Sequence, residues 1–425
     1  MLKQAAHATY QTARWIKNDL PRLWKHEQRV SLKPRSKPKG QVLLAFEPEF
    51  YKRSKADQSF RAHTRHWEFI EVANIFLELG YAVDVIHWQN KGFMPSKKYD
   101  FFFDTRFTME RIAPLLGPDC VKVYYGQTAH IHFHNAAEHR RLLELKDRRG
   151  AVLMTYRAEM PNRALEHADC ATVLGNGFTL ETYRYANKPL YPIRNSVAQT
   201  YPWPEQKDFD ACRHNFLWFA SDGMVHKGLD LMLEAFAAMP EYQLTICGPV
   251  EKEREFVEAY HQELYQTPNI HLVGWTDVSS PKFVEVANRC AALVYPSCSE
   301  GQAGAVITCM HAGLIPIMSY ESGVDSQDFG TILKTCSIEE IQTEVGRIAA
   351  LPGAELERRS RRAWEFAQAN HTQERFTTDY RAFIVALVEG RLETELDHQA
   401  RSLSHQQPCP QSDGCVQTVR QPAPT

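Results

Sequence analysis

The sequence contains no long apolar run, and this absence argues against one large class of proteins. No hydrophobic stretch approaches the roughly 18 residues that a membrane-spanning helix needs, so we expect no transmembrane segment. The first ten residues, MLKQAAHATY, lack the apolar core of a secretory signal, so we expect no export signal. With 44% hydrophobic and 24% charged residues, the composition is that of a soluble globular protein.

Closely spaced cysteine pairs are also missing. The ten cysteines are scattered, with no CxxC motif and no short framework spacing. This pattern indicates reduced, buried thiols and a cytoplasmic location rather than a disulfide scaffold.

A strong net charge is missing as well, because 49 Lys and Arg nearly balance 51 Asp and Glu. The net charge itself carries no information about nucleic acid, and no nucleic-acid partner is predicted. The distribution is uneven, however, since residues 1–40 contain ten Lys or Arg against Asp19 and Glu27, with Trp15 and Trp24 among them. A basic arm on an acidic body predicts peripheral contact with an anionic membrane, and a merely solvated arm is the alternative.

Alternating strand and helix patterns fill the rest of the chain, which at 425 residues is too long for one ordinary core. Two runs of such units, 41–200 and 211–370, are separated by the Pro-rich segment YPWPEQKDFD. Apolar strands without polar alternation predict parallel sheets covered by helices on both faces. The predicted fold class is therefore α/β, with two tandem Rossmann-like, doubly wound domains.

Three flanking segments complete the predicted organisation. Residues 1–40 are interpreted as a basic arm ending in an extended linker, SLKPRSKPKG, because Pro and Lys discourage regular structure. Helical periodicity continues over 355–392. The tail 396–425 is polar and contains several Pro and Gln residues, which predicts disorder.

Candidate binding residues follow the carboxyl ends of predicted strands in the second run, where open parallel sheets bind ligands. The loop ASDGMVHKG places Gly223, Lys227 and Gly228 before an amphipathic helix, and this arrangement suits a phosphate. A solvated lysine that opens a helix is the alternative. A second loop, CGPVEKE, begins at the end of a strand with Gly248, and by itself it is better interpreted as an ordinary turn.

The third loop, SEGQAGAVITCM, combines one carboxylate with small residues. Gly301 and Gly304 allow a ligand to approach the backbone closely, and the helix that begins here favours a diphosphate at its N-terminus. Glu300 would repel phosphate, so we expect it to face sugar hydroxyls instead. Thr308 follows eight positions later.

The second run resembles the donor half of family-4 (group 1) retaining glycosyltransferases of the GT-B fold. Four segments in the expected order and spacing carry the resemblance: HKGLDLMLEAF, LTICGP, NIHLVGW and ALVYPSCSEGQAGAVITCMHAGLIPI. The resemblance covers 215–335 and, less closely, 41–200. It implies two domains facing a cleft, a nucleoside-diphosphate sugar as donor, no further cofactor, no metal, and a helix over 371–395 that crosses back to the first domain.

The resemblance also implies roles for individual residues. Lys227 matches the lysine that contacts the donor diphosphate, and Glu300 matches the glutamate that binds hydroxyls of the transferred sugar. Gly304, Ala305 and Val306 match the helix-opening backbone near the diphosphate.

Two positions depart from the family pattern. Asp222 stands where an arginine is common, and Thr308 stands where a second glutamate holds the ribose. Two alternatives therefore stay open: a GT-B protein that binds nucleotide or glycan with little or no turnover, and a nucleotide-sugar epimerase. The intact HKG and SEG segments favour sugar transfer over both.

The first run contributes a histidine-rich segment, QTAHIHFHN. On a strand, His130, His132 and His134 would share one face and could form a three-histidine metal site. A loop is equally compatible with the segment, and no metal is predicted. The resemblance implies that a first-domain histidine contacts the donor sugar, with His130 favoured, while solvated or core histidines are the alternative.

Together these observations predict a cytoplasmic retaining glycosyltransferase, peripheral at the inner membrane face. It would move a sugar from a nucleoside diphosphate to a hydroxyl of a glycan, a lipid-linked glycan or a small molecule. Lys227 and a helix N-terminus would stabilise the leaving diphosphate. Front-face displacement is expected, because no nucleophilic carboxylate is apparent on the acceptor side. The sugar, the base and the acceptor stay open.

Overall fold

The computed structural model describes residues 28–52 and 64–392. The predicted tail 396–425 and most of the predicted basic arm lie outside the described residues. The described chain forms two sheets, and we call the parts that build them the first and the second domain.

The first sheet has seven strands in the order β1-β3-β2-β4-β5-β6-β7. All neighbouring strands are parallel except β1 and β3, which pair antiparallel. The strands are β1 (Arg29–Leu32), β2 (Gly40–Phe46), β3 (Tyr81–His87), β4 (Phe101–Asp104), β5 (Val121–Gly126), β6 (Cys170–Leu174) and β7 (Leu190–Ile193).

The second sheet has six strands, all parallel, in the order β10-β9-β8-β11-β12-β13. Chain order reverses between β8 and β11, which makes this position the topological switch point of a doubly wound sheet. The strands are β8 (Asn215–Phe219), β9 (Gln243–Cys247), β10 (Ile270–Leu272), β11 (Ala292–Tyr295), β12 (Ile315–Ser319) and β13 (Thr331–Leu333).

Helices connect the strands and cover the sheets. They are α1 (Thr64–Glu78), α2 (Thr108–Ile112), α3 (Ile131–Arg149), α4 (Ala164–His167), α5 (Gly177–Glu181), α6 (Phe209–Cys212), α7 (Leu229–Ala237), α8 (Arg254–Ala259), α9 (His261–Gln266), α10 (Pro281–Arg289), α11 (Gly304–His311), α12 (Ile338–Ala349), α13 (Gly353–Asn370) and α14 (Gln373–Val388). The two sheets and their covering helices confirm the predicted α/β class.

The last helix crosses back to the first domain, as expected, but the helical segment is not continuous. It breaks between α13 and α14 at His371 and Thr372, where the Thr372 hydroxyl accepts from Arg375 N at 3.1 Å and caps α14. His371 Nδ1 lies 3.1 Å from the carbonyl of Asn195, so the break is anchored where the chain leaves β7. Beyond it, α14 buries one face in the first core, through Phe376, Tyr380, Phe383, Ile384 and Leu387.

Strand β1 was not predicted, because its residues belong to the segment interpreted as arm and linker. Its polar side chains are held by Asp84 of β3, a buried carboxylate. Ser31 Oγ donates to Asp84 Oδ1 at 2.6 Å, and Arg29 lies 3.0 Å from Asp84 Oδ2. These contacts stabilise a polar edge strand that local propensity does not favour. Strand β13 (Thr331–Leu333), at three residues, was also missed.

The apolar content of the described chain is distributed over the interiors of the two domains. In the part of the chain described, no helix is both long and apolar enough to cross a bilayer. The eight described cysteines are all free and buried, which confirms the expected buried thiols.

Candidate functional site

Two loops meet at the switch point of the second sheet. Strands β8 and β11 are parallel neighbours, so the loops that follow them leave the same edge of the sheet side by side. Lys227 lies in the first loop and Glu300 in the second, and Lys227 Nζ lies 2.9 Å from Glu300 Oε1. The topology therefore brings together two residues that are 73 positions apart in the sequence.

The Glu300 carboxylate is held by two further donors. Tyr295 OH donates to Oε1 at 2.8 Å, and Ser297 Oγ donates to the same atom at 3.2 Å. Lys227 Nζ also donates to Tyr295 OH, at 3.0 Å. The side chains of Lys227 and Glu300 are only 6% and 12% exposed, so the ion pair is nearly out of solvent.

Burial and pairing act in opposite directions on this carboxylate. Burial alone would raise the pKa of Glu300, but the charges of Lys227 and Arg157, the nearby His226 and the hydrogen bond from Lys227 together outweigh it and hold the pKa well below its usual range. Burial lowers the pKa of Lys227, and the Glu300 charge opposes that shift. Glu300 is therefore an ionised, fixed acceptor for hydroxyl groups rather than a proton donor.

The helix that follows Glu300 begins with open backbone. Its cap residue, Ala303, makes no side-chain hydrogen bond, so the first N–H groups of α11 receive no acceptor from the cap. A Cβ atom on Gly304 would find Asn195 Nδ2, at 3.9 Å, as its nearest neighbour. The predicted residues Gly304, Ala305 and Val306 form this first turn, and Thr308 lies buried in the second.

Gly301 lies against the backbone of the first domain, where the sequence predicted a ligand. A Cβ atom there would lie 2.3 Å from Gln127 O and 2.7 Å from Leu174 O, both in the first domain. Thr179 Oγ1 of the first domain also donates to Gly301 O at 3.1 Å. The glycine lets the two domains approach each other at this loop.

Three other predicted glycines have partners inside the protein. Gly228 adopts a left-handed conformation, with φ 73, and packs on Pro296. Gly248 N donates to Gly274 O at 3.1 Å. Gly223 N donates to Glu253 Oε1 at 2.5 Å, so this carboxylate occupies an amide that the sequence assigned to the donor.

The three histidines of the segment QTAHIHFHN do not share one face. Helix α3 begins at Ile131, so the alternation of the segment is not that of a strand. His130 caps the helix, His132 is exposed and His134 is buried. Within residues 28–52 and 64–392, no group of three or more His, Cys, Asp or Glu side chains is placed to hold a metal ion.

The favoured candidate, His130, points to other first-domain residues. Its Nε2 lies 2.9 Å from Tyr185 OH, and Tyr185 OH donates in turn to Glu166 at 2.9 Å. Burial lowers the pKa of His130 to about 4. The ring is therefore neutral near pH 7 and serves as a helix cap.

His134, and not His130, contacts the loop after β11 that carries Glu300, which we call the donor loop after its predicted ligand. Its Nδ1 lies 3.1 Å from the hydroxyl of Ser299, the residue before Glu300, and its Nε2 lies 3.0 Å from the carbonyl of Arg157. Because a carbonyl only accepts, Nε2 carries the proton and Nδ1 accepts. Burial lowers the pKa of His134, which favours this neutral form.

Sequence reasoning missed several polar residues of this region. Tyr295 ends β11 and touches both members of the ion pair, and its place at the carboxyl end of a strand was the available signal. No local sequence pattern marks Glu138 or Arg157 as residues of the site. An interdomain cavity of about 310 Å³ lies beside them; its lining includes Glu138, Leu142, Tyr156, Gly223, His226 and Glu253.

Comparison with known proteins concerns the same part of the chain. The family model for group 1 glycosyl transferases matches residues 213–349, the part of the chain that holds the Lys227–Glu300 pair. Residues 213–349 are therefore similar to group 1 glycosyl transferases. No curated protein matches the sequence.

Solved structures extend the comparison to both domains of the chain. Sucrose-phosphate synthase from Thermosynechococcus elongatus is 14% identical, with a TM-score of 0.57 over 84% of this chain and 100% of that one. Anabaena Alr3699/HepE, solved in complex with UDP-glucose, is 12% identical, with a TM-score of 0.51 over 82% and 100%. At such identities the likeness shows the fold alone, and that fold is GT-B.

A third match, S. aureus TarM, is 12% identical with a TM-score of 0.45, over 66% of this chain. This chain spans about half of TarM, since the match covers 54% of that protein.

Proposed function

We propose that this protein is a retaining glycosyltransferase that moves a sugar from a nucleoside diphosphate to an acceptor hydroxyl. The observation that carries the proposal is the buried Lys227–Glu300 pair at the switch point of the second sheet, 2.9 Å apart. A lysine beside a carboxylate suits a ligand that carries both a diphosphate and hydroxyl groups, as a nucleotide sugar does.

Each residue has a distinct role in this proposal. Lys227 and the first turn of α11 stabilise the negative charge that develops on the leaving diphosphate. Glu300 accepts hydrogen bonds from hydroxyls of the transferred sugar, since it is held ionised and acts only as an acceptor. When the donor binds, Lys227 and Glu300 therefore give up part of their contact with each other. Lys227 then contacts the diphosphate, and Glu300 contacts the sugar.

In this proposal the transferred sugar keeps its anomeric configuration because the reaction is a front-face displacement. Glu300 already accepts three hydrogen bonds on one oxygen, from Lys227, Tyr295 and Ser297, and is poorly placed as a free nucleophile. The acceptor hydroxyl then attacks from the face that the diphosphate leaves. The contact of His134 with Ser299 brings the first domain to the sugar side of the donor loop.

The ligands are proposed by class. UDP-glucose, which is bound in Alr3699/HepE, is the first donor to test, and no cofactor beyond the donor is required. The acceptor is a hydroxyl of a glycan, a lipid-linked glycan or a small molecule. A cytoplasmic location, with peripheral contact between the basic arm and an anionic membrane, completes the proposal.

The test is a donor screen with a matched pair of variants. Purified protein is incubated with UDP-, GDP- and ADP-sugars, with and without glycan acceptors, and nucleoside diphosphate release is measured. Acceptor-dependent release, with a product of unchanged anomeric configuration by NMR, is expected. Lys227→Ala should weaken nucleoside diphosphate binding and lower kcat, whereas Lys282→Ala, at an exposed position, should leave both unchanged.

Glu300→Gln keeps the shape of the side chain and removes its charge. Charge-assisted bonds to sugar hydroxyls become neutral ones, so we expect transfer to fall about ten-fold or more. Glu205→Gln, at an exposed position, is the control. Donor conversion without acceptor would indicate an epimerase, and binding without turnover would indicate a non-catalytic GT-B protein. Full turnover in a folded Glu300→Gln variant would remove Glu300 from the site.

A further inference from the structure

Arg157 lies where the first domain covers the lysine loop of the second. Its aliphatic part packs directly on Gly223, since a Cβ atom added to that glycine would lie 2.5 Å from Arg157 Cγ and 2.9 Å from Cδ. Gly223 also has φ 97, a conformation that other residues rarely adopt. The loop that carries Lys227 is thus shaped to receive an arginine side chain from the opposite domain.

Polar side chains of α3 fix the backbone that presents Arg157. His134 Nε2 donates to Arg157 O at 3.0 Å, and Glu138 Oε1 accepts from Arg157 N and from the preceding N–H, each at 2.8 Å. Asn135 donates to and accepts from the backbone of Glu159, at 2.8 Å in both directions. His134 and Glu138 are buried, so they hold this segment in one place above the donor loop.

The guanidinium group of Arg157 acts on Glu300 through its charge, but its Nε has no hydrogen-bond partner among the described residues. Arg157 Nε is buried and makes no hydrogen bond, and no carboxylate of residues 28–52 or 64–392 forms an ion pair with Arg157. Burial lowers the pKa of Lys227, and the positive charge of Arg157 lowers it further against the effect of Glu300. Lys227 and Arg157 therefore act together on the Glu300 carboxylate, with Asp222 contributing a smaller attraction to Lys227, and an anionic ligand would add negative charge beside the two cations.

We infer that Arg157 is a second cation of the donor site, and that it binds diphosphate oxygens from the first-domain side of the cleft. A planar guanidinium can donate to two phosphate oxygens at once, whereas Lys227 supplies a single compact charge. This inference rests on the proposed function and deepens it. The diphosphate would then contact both domains, and its binding would hold them together over the sugar.

The test compares Arg157→Ala with Arg163→Ala, an exposed arginine of the same segment. Calorimetry is run with UDP, GDP and ADP and with the nucleosides uridine, guanosine and adenosine. We expect Arg157→Ala to lose about ten-fold or more in affinity for the diphosphate that the parent binds, with nucleoside affinity unchanged. The diphosphate affinity of Arg157→Lys should lie between those of Arg157→Ala and the parent, and the affinity of Arg163→Ala should match that of the parent.

Equal diphosphate affinity in Arg157→Ala and the parent would overturn the inference and leave the proposed function standing. An equal loss for nucleoside and diphosphate would also overturn it, because the residue would then be structural. A parent protein that binds no nucleoside diphosphate would overturn both. Thermal melting checks that each variant is folded, and Arg157→Gln takes the place of Arg157→Ala if the alanine variant is not.

Discussion

Lys227 and Glu300 form an ion pair that joins the two loops at the switch point, with 2.9 Å between Nζ and Oε1. Both side chains are nearly out of solvent, so each charge depends on the other for compensation. We therefore expect the loss of either partner to destabilise this part of the second domain.

The first prediction concerns the stability of this pair. Lys227→Met and Glu300→Leu each leave one buried charge without its nearest opposite charge, so each should lower the free energy of unfolding by about 3 kcal/mol. The double variant should lose about 1–3 kcal/mol less free energy of unfolding than the sum of the two single losses. Urea unfolding measures this coupling, and the exposed Arg289–Glu285 pair provides a control cycle with coupling close to zero. Additive effects at the buried pair would show that the two charges are independently compensated.

The second prediction concerns Thr308, which lies buried in the second turn of α11. A glutamate there can accept from both hydroxyls of a ribose, whereas threonine offers one neutral hydroxyl group. Thr308→Glu should therefore tighten nucleoside diphosphate binding several-fold, measured by calorimetry. Thr308→Gln introduces a side chain as long as glutamate but without its charge, so it separates the effect of charge on binding from the effect of length. Weaker binding in a folded Thr308→Glu variant would mean that the threonine belongs to a remodelled donor pocket.

The third prediction separates His130 and His134, the two buried histidines of the segment QTAHIHFHN. His134 contacts Ser299 in the donor loop, whereas His130 contacts Tyr185 within its own domain. His134→Ala should lower kcat by about ten-fold or more, because the Ser299–Glu300 loop loses its contact with the first domain. His130→Ala should mainly lower the melting temperature, since it removes a helix cap worth about 1 kcal/mol. The reverse ranking of the two kcat values would restore His130 as the functional histidine.

The fourth prediction concerns pH and Glu68, a buried residue of α1. Burial raises the pKa of Glu68 to about 7, although Ser196 N and Oγ donate to it at 3.0 and 2.9 Å. A raised carboxyl pKa favours the protonated folded state. The contribution of Glu68 to the free energy of unfolding therefore falls as pH rises from about 4.5 to about 7, and it is constant above that pH.

Glu68→Gln should remove this loss. Its unfolding free energy relative to the parent should increase by about 3 kcal/mol between pH 4.5 and pH 8, since one pKa unit corresponds to about 1.4 kcal/mol. Denaturant unfolding at both pH values measures the change, and the exposed Glu78→Gln on the same helix is the control. A difference independent of pH would mean that Glu68 is ionised throughout this range.

The fifth prediction concerns the basic arm, most of which lies outside the described residues. Residues 1–27 contain five Lys or Arg together with Trp15 and Trp24, and each basic residue near an anionic leaflet contributes about 1 kcal/mol. The full chain should co-sediment with anionic vesicles in a salt-sensitive way, and a variant lacking 1–27 should not. This deletion leaves β1 and its contact with Asp84 in place. Equal sedimentation of both proteins would contradict the membrane contact.

Local patterns were sufficient to predict most of the sheet strands. Strands such as β2 and β11 are continuous apolar runs that end at turns or breakers, so their type and place follow from neighbouring residues. Lys227 and Glu300 were predicted as loop residues for the same reason. Strand β1 was not predictable, because Arg29 and Ser31 are stabilised by Asp84, more than 50 positions away.

The histidine segment shows the limit of such patterns. Its alternation over five residues fits one face of a strand, but the chain starts a helix at Ile131 and uses His130 as its cap. The contact of His134 with Ser299 spans 165 positions. No local spacing encodes that distance, so the sequence could not tell His134 from its neighbours.

The sequence by itself determined the alternation of strands and helices, the loops that carry Lys227 and Glu300, and the resemblance to a glycosyltransferase. These features depend on residues close together in the chain. Only the tertiary structure decided that the two charges pair, that His134 and not His130 reaches the donor loop, and that Arg157 packs on Gly223. Those contacts arise when two sheets, each folded around its own core, pack against each other. They therefore depend on the combined geometry of both domains, which no single segment of the chain contains.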